Sequence, residues 1–244
     1  MTTPQIYTFS SLDVVSKTAE NIADLLIEKT AEKKAITVFL SGGSAIAMNK
    51  VLLEKLQKVK FSRLTLTLID ERFGKYGHDQ SNEQQLRSTG VLDLATKIGG
   101  KFIGMLSSQN LPFAQTLAQI NQNYAELFKE ESYKLALLGL GEDGHTAGWL
   151  PTNNEAKFVK LYESKNPVVF YEVNESDSNN PHKQRLTIST STVPKMDQII
   201  IYTKGSSKKA ALEHFIKRDT PINQTPALAL YQNPNPIIVL TDQT

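Results

Sequence analysis

The chain has 244 residues, of which 40% are hydrophobic and 21% charged, a composition that is typical of a globular protein and excludes a collagen-like or largely disordered chain. Its 27 basic and 25 acidic residues give a formal net charge of +2, which is too balanced for a broad surface that binds nucleic acid or membrane. Cysteine is absent, which excludes disulfides, thiolate metal sites and cysteine nucleophiles. The length predicts one α/β domain over residues 1–244, and because the first residues lack the pattern of an export signal, we expect a cytoplasmic protein.

Short apolar runs alternate with longer amphipathic stretches along the chain. Strands are predicted at residues 6–9, 35–40, 64–69, 133–138, 168–173, 185–189, 198–203 and 237–240, and helices at residues 12–29, 44–56, 112–128 and 207–217. This alternation predicts a doubly wound α/β fold, with a largely parallel sheet and helices on both faces. Residues 174–183 are polar and rich in turn formers, which predicts a surface loop that is either a lid or a plain connection.

A glycine turn follows the second predicted strand. Ser41, Gly42, Gly43 and Ser44 separate this strand from a predicted helix. Glycines allow a close backbone approach to a ligand, and the N–H groups and positive dipole end of the helix attract an anion such as phosphate. The lysine of a Walker loop is missing. The turn therefore predicts either a phosphate site or a plain connection in which Ser44 is the helix N-cap.

Three charged residues follow the third predicted strand. Asp70, Glu71 and Arg72 come directly after an apolar run, at the edge where open α/β sheets bind ligands. Burying all three would cost a large free energy, so we expect at least one pair to be ion-paired or to face a ligand. The alternative is a strand end that is simply solvated.

A histidine lies in a glycine-rich turn after the fourth predicted strand. Asp143, His145 and Thr146 stand in the sequence GEDGHTA. Because imidazole has an ordinary pKa near neutrality, His145 can accept a proton from water, and a nearby carboxylate can orient it. The competing interpretation is a histidine with structural hydrogen bonds only, and the surrounding turn favours catalysis.

The same turn contains a pattern found in dinucleotide-binding proteins. Gly139, Gly141 and Gly144 satisfy G-x-G-x-x-G. That pattern should open a long helix, but Pro151 follows too closely for one to form. We therefore expect no nucleotide cofactor.

Two basic residues late in the chain are candidates for binding a phosphate. Arg185 begins a predicted strand, and Lys208 follows a strand and a glycine turn. Arginine grips a phosphate with two hydrogen bonds, whereas lysine contributes a mobile point charge. Solvated surface is the alternative for both residues, and it is the interpretation that we adopt for Lys209 and His214.

These segments, taken in order, resemble those of the 6-phosphogluconolactonase family. The shared segments are SGGS at 41–44, DER at 70–72 with SN at 81–82, GEDGHTA at 141–147, RLTIS at 185–189 and GSSK at 205–208. Each is weak by itself, but their order and spacing are specific. The resemblance implies a hydrolase of the pentose phosphate pathway that converts 6-phospho-D-glucono-1,5-lactone to 6-phosphogluconate. It implies a sugar phosphate as substrate and neither metal nor cofactor.

The resemblance also implies roles for individual residues. Ser41, Gly42, Gly43, Ser44, Arg185 and Lys208 would hold the sugar phosphate, His145 would be the general base, and Asp70 and Arg72 would line the sugar site. Arg72 would also stabilise the oxyanion that forms when water attacks the lactone carbonyl. For Asp143 two roles stay open, orienting His145 or capping the turn.

Three other functions stay open at this point. Glucosamine-6-phosphate deaminases share the implied fold and several of these segments, and Phe73 and Gly74 after DER are closer to their pattern. Against a deaminase, Leu150 occupies the position of a glutamate that assists ring opening in that family, and leucine cannot transfer a proton. The second alternative is a non-catalytic sugar-phosphate-binding protein, and the third is a redox enzyme. The sequence predicts no oligomeric state.

Overall fold

Strands and helices alternate through the computed structural model, which describes residues 3–32, 34–173 and 183–243. The strands are β1 (Gln5–Thr8), β2 (Ile36–Leu40), β3 (Leu64–Leu68), β4 (Asp70–Arg72), β5 (Gly100–Ile103), β6 (Tyr133–Gly139), β7 (Val168–Glu172), β8 (Gln184–Ile188), β9 (Gln198–Thr203) and β10 (Ile238–Thr241). The helices are α1 (Val14–Ala31), α2 (Ile46–Lys55), α3 (Asn82–Ser88), α4 (Val91–Lys97), α5 (Phe113–Lys129), α6 (Glu155–Tyr162) and α7 (Lys209–Lys217). None of the described helices is long and apolar enough to cross a membrane. The loop predicted at residues 174–183 lies outside the described residues except for Lys183.

Seven strands form one parallel sheet in the order β1-β10-β9-β6-β2-β3-β5. Every residue of β2 and β3 is buried, as expected for strands that are covered on both faces. From β2 the chain continues outward through β3 and β5, whereas from β6 it continues the other way through β9 and β10. The strand order therefore reverses between β2 and β6, and open α/β sheets bind ligands at such a point. The predicted α/β class and parallel sheet are confirmed.

A second sheet was not predicted from the sequence. It contains β4, β8 and β7, all antiparallel, with Asp70 opposite Thr187 and Arg72 opposite Arg185. The sequence predicted β7 and β8 as strands, but it treated residues 70–72 as the charged end of β3. A strand of three charged residues has no hydrophobic pattern to reveal it, because its pairing with β8 comes from residues more than a hundred positions away.

The second sheet supports the loop that follows β6. The backbone N–H of Gly148 donates to Thr187 Oγ1 (3.0 Å), and the Tyr171 hydroxyl donates to the Gly148 carbonyl (2.5 Å). The indole N–H of Trp149, which is fully buried, donates to the Ile188 carbonyl (2.8 Å). The second sheet thus carries β4 as one of its strands and also anchors the loop that contains His145.

Candidate active site

An open cleft lies where β2 and β6 end, at the reversal of strand order. Of the ten residues to which the family resemblance assigned a role, eight line it: Ser41, Gly42, Gly43, Ser44, Asp70, Arg72, His145 and Lys208. They come from four separate parts of the chain, each of which follows a strand of the parallel sheet. The cleft is therefore built by the topology, which brings the ends of non-consecutive strands together.

The glycine turn after β2 forms one wall of the cleft. Gly43 has a φ of +59°, a conformation that glycine adopts without the strain of a side chain. The turn continues as a 3₁₀ helix (Gly43–Ala45) directly into α2, and the Asn49 side-chain amide donates to the Ser41 carbonyl (3.2 Å). Ser44 is not the N-cap of α2, because Ala45 holds that position without a side-chain cap. Since the first N–H groups of a helix have no partner within it, the turn presents donors to an anion.

Lys208 also lines the cleft. It ends a 3₁₀ turn (Ser206–Lys208) after β9, and Gly205 before this turn has a φ of +102°. The ammonium of Lys208 is 3.6 Å from the carboxylate of Glu142. A hydrogen bond from Ser207 and the charge of Lys208 lower the pKa of Glu142, so this carboxylate is ionised beside the lysine. Lys208 thus adds a positive charge to the cleft that the glycine turn also lines.

The residues of β4 alternate in direction. Asp70 and Arg72 line the cleft, whereas Glu71 between them is fully buried on the other side. Burial raises the pKa of Asp70, and the positive charges of Arg72 and Arg185 oppose this rise. One guanidinium nitrogen of Arg72 donates to the Gln80 carbonyl (2.8 Å). Asp70 and Arg72 thus both face the cleft, and their contact with a ligand stays a prediction.

Sequence reasoning missed the parts that Glu71 and Asn82 play in the site. The Glu71 carboxylate accepts hydrogen bonds from the backbone N–H groups of Arg72, Asn82 and Glu83 and from the Ser81 hydroxyl. Asn82 lines the cleft, and its side-chain amide donates to the Asp70 carbonyl (2.9 Å) and carboxylate (3.3 Å). The signal in the sequence was the pair SN after DER, which was part of the family resemblance but had no role assigned.

His145 and Asp143 form a close pair beside the cleft. The His145 Nδ1 is 2.5 Å from Asp143 Oδ1, and the same oxygen accepts from the backbone N–H of His145 (3.2 Å). Burial opposes ionisation of Asp143, but its hydrogen bonds to His145 and the charge of that residue outweigh burial and lower its pKa. Because the carboxylate accepts the Nδ1 proton, the neutral form of the imidazole has Nε2 free to accept a proton. A Cβ on Gly141 would overlap the imidazole, so only glycine fits there. Asp143 contacts both the ring and the turn, the two roles that the sequence left open.

The sequence also singled out Arg185, Leu150 and Gly144. Arg185 is half-buried on β8 opposite Arg72, and its side chain is not part of the cleft wall that the described residues form, so its contact with a phosphate stays a prediction. Leu150 packs against the core, and its backbone N–H donates to the Tyr162 hydroxyl. After Gly144, in a fully described stretch, the next α-helix begins only at Glu155, so the G-x-G-x-x-G pattern opens no helix directly.

The fold and the cleft define an α/β protein with a polar cleft at the reversal of strand order. The chain belongs to the glucosamine-6-phosphate isomerase/6-phosphogluconolactonase family, which it matches over residues 10–238. It is 26% identical over 220 residues to a 6-phosphogluconolactonase of Helicobacter pylori, covering 89% of this chain and 88% of that protein. The crystal structure of a 6-phosphogluconolactonase from Thermotoga maritima superposes with a TM-score of 0.79 at 21% identity, covering 99% of this chain and 100% of that one. One from Shewanella baltica has a TM-score of 0.79 at 23% identity, covering 100% and 98%.

Proposed function

We propose that this protein is a 6-phosphogluconolactonase, which hydrolyses 6-phospho-D-glucono-1,5-lactone to 6-phosphogluconate. The observation that carries the proposal is the pairing of His145 with Asp143 in a cleft that also contains a glycine turn and Lys208. A histidine with one free nitrogen and a separate set of phosphate donors are the two features that hydrolysis of a sugar-phosphate lactone requires. The family and the relatives named 6-phosphogluconolactonase support the same reaction. The absence of cysteine supports a cytoplasmic location.

The phosphate group would bind between the glycine turn and Lys208. The turn offers main-chain N–H groups and the positive end of the helical segment that continues into α2. Lys208 would exchange its contact with Glu142 for the phosphate, which carries a larger negative charge. Bound in this way, the phosphate fixes one end of the substrate and directs the lactone ring toward His145.

His145 would act as the general base. Asp143 holds the imidazole through Nδ1, so the free Nε2 accepts a proton from the attacking water. The water oxygen forms a bond to the lactone carbonyl carbon, and the carbonyl oxygen becomes an oxyanion. Arg72 lines the cleft and would donate to this oxyanion.

Ring opening would complete the reaction. The bond between the carbonyl carbon and the ring oxygen breaks, and the imidazolium of His145 returns its proton to that oxygen, which leaves as an alcohol. The products are a carboxylic acid and a hydroxyl on one open chain, and at neutral pH the acid releases its proton to solvent and becomes a carboxylate. Every proton in this sequence is carried by water, substrate or His145, so the proposed mechanism assigns no step to a cofactor.

The test follows hydrolysis of the lactone, generated in the assay from glucose 6-phosphate, by coupling 6-phosphogluconate to NADP reduction. The lactone also hydrolyses spontaneously, so the rate with the protein is compared with the rate without it. We expect acceleration that is proportional to protein concentration. Release of ammonia from glucosamine 6-phosphate, without lactone hydrolysis, would instead support a deaminase. Binding of 6-phosphogluconate without either activity would support a non-catalytic sugar-phosphate-binding protein.

A further inference from the structure

Two residues connect the N-terminus of α3 to β4 through hydrogen bonds, and neither takes part in the proposed chemistry. We infer that Glu71 and Asn82 are positioning residues, which together hold the Asp70 side chain in place within the cleft. This inference rests on the proposed function for its catalytic consequence. Its structural basis is a continuous set of hydrogen bonds from β4 to α3 and back to β4.

Glu71 fixes the start of α3. Its fully buried carboxylate accepts from the N–H groups of Asn82 (2.7 Å) and Glu83 (2.9 Å) and from the Ser81 hydroxyl (2.9 Å). These N–H groups belong to the first turn of the helix, which has no internal acceptors for them. Burial raises the pKa of Glu71 to about 7, whereas these hydrogen bonds favour its ionised form. Glu71 therefore attaches the helix start to the strand that carries Asp70.

Asn82 connects the start of α3 to Asp70. Its side-chain nitrogen donates to both the Asp70 carbonyl and the Asp70 carboxylate. If the amide were rotated by 180°, the Asn82 oxygen would face two acceptor oxygens and make no hydrogen bond. These contacts therefore assign the amide nitrogen to the position facing Asp70. Asn82 is 1% exposed, which leaves its amide little freedom to rotate away. The Asp70 side chain is thereby held by a donor that is itself fixed by Glu71.

The same amide also fits against the glycine turn. A Cβ on Gly42 would overlap the amide group of Asn82, so the turn approaches this side chain as only glycine can. Asn82 therefore contacts residues from both walls of the cleft, the turn after β2 and the strand β4. Its loss would change the distance between the proposed phosphate site and Asp70, in addition to removing a hydrogen bond.

The pKa of Asp70 depends on this arrangement and can be measured. Burial raises its pKa, while the charges of Arg72, His145 and Arg185 and the hydrogen bond from Asn82 lower it. The phenols of Tyr124 and Tyr171 also face Asp70, and burial raises the pKa of both, so they stay neutral at working pH. Removing Asn82 takes away one contribution that favours the carboxylate. The pKa of Asp70 should therefore rise in Asn82→Ala.

The experiment compares Asn82→Ala with Asn233→Ala. Asn233 is a matched control because it is 4% exposed and its amide donates to the carbonyls of Val193 (2.7 Å) and Met196 (2.8 Å), away from the cleft. Two quantities are measured, kcat/KM for the lactone across pH and the titration of the Asp70 carboxyl carbon by NMR. We expect Asn82→Ala to lower kcat/KM by about 10- to 100-fold. We expect its Asp70 titration to move to higher pH, while Asn233→Ala changes neither quantity in the folded protein.

A second variant tests the part played by Glu71. Glu71→Gln keeps the size of the side chain but replaces one acceptor oxygen with a donor, which opposes the N–H groups of α3. We expect kcat/KM to fall as it does in Asn82→Ala. The Asp70 titration is diagnostic only in Asn82→Ala, because Glu71→Gln also removes a negative charge next to Asp70, which lowers the pKa of Asp70 directly. If Asp70 titrates as in the wild type in the folded Asn82→Ala protein, the inference is wrong. If the wild type shows no lactone hydrolysis but the titration shifts as expected, the proposed function fails and the positioning role stands.

Discussion

The two ends of the cleft are built in different ways. The proposed phosphate end consists of a main-chain turn and one lysine, both placed by strands of the parallel sheet. The proposed reacting end consists of side chains that depend on the second, antiparallel sheet, which includes β4 and anchors the loop after β6. Main-chain donors remain when a residue is replaced by anything except proline, whereas a single side chain that moves a proton is lost on substitution. Substitutions at the two ends should therefore affect different kinetic parameters.

The largest effect is expected at the reacting end, for His145→Ala. A positioned general base contributes about 10²- to 10⁴-fold to a rate, so kcat should fall by that factor while KM changes little. The His145 side chain is 40% exposed, so its removal should leave the fold intact, which circular dichroism checks. The measurement is lactone hydrolysis in excess of the spontaneous rate.

The surface pair of His214 and Asp219 provides the control for this variant. Its imidazole Nδ1 is 2.7 Å from the aspartate carboxylate, the same kind of contact as in the cleft. We expect His214→Ala to keep the wild-type kcat. A folded His145→Ala protein with wild-type kcat would show that another group activates the water.

The difference between the two ends also explains what the sequence could predict. The phosphate end follows from local signals, because a buried strand, a glycine turn and a helix are contiguous at residues 35–56. Six of the seven strands of the parallel sheet were predicted to within one or two residues for the same reason. At the reacting end, the pairing of Asp70 with Thr187 joins distant segments and leaves no local pattern. The short elements α3 and β5 were missed as well, because their few turns or residues give too little periodicity.

The next largest effect is expected at the phosphate end, for Lys208→Ala. A hydrogen bond to a charged group is worth about 1.5–3 kcal/mol, which corresponds to a rise in KM of about 10- to 100-fold. The change in kcat should be smaller, because the main-chain donors of the glycine turn stay in place. Exposed Lys209 is the control, since Lys209→Ala removes the same charge one residue further on. If Lys208→Ala instead lowered kcat with KM unchanged, the lysine would belong to the reacting end.

The smallest effect is expected for Asp143→Asn, which keeps the shape of the side chain but removes its charge. The carboxylate holds the His145 ring through Nδ1, and the amide can present a nitrogen there, which favours the tautomer with the proton on Nε2. The loss should be only about tenfold in kcat, at the lower limit for a charge-assisted hydrogen bond, because the Asp143 side chain is 52% exposed and water can replace it. Asp219→Asn, at the matched surface pair, should leave kcat unchanged. If kcat fell as much as in His145→Ala, the prediction would be wrong. Asp143 alone would then keep the proton on Nδ1 and leave Nε2 free.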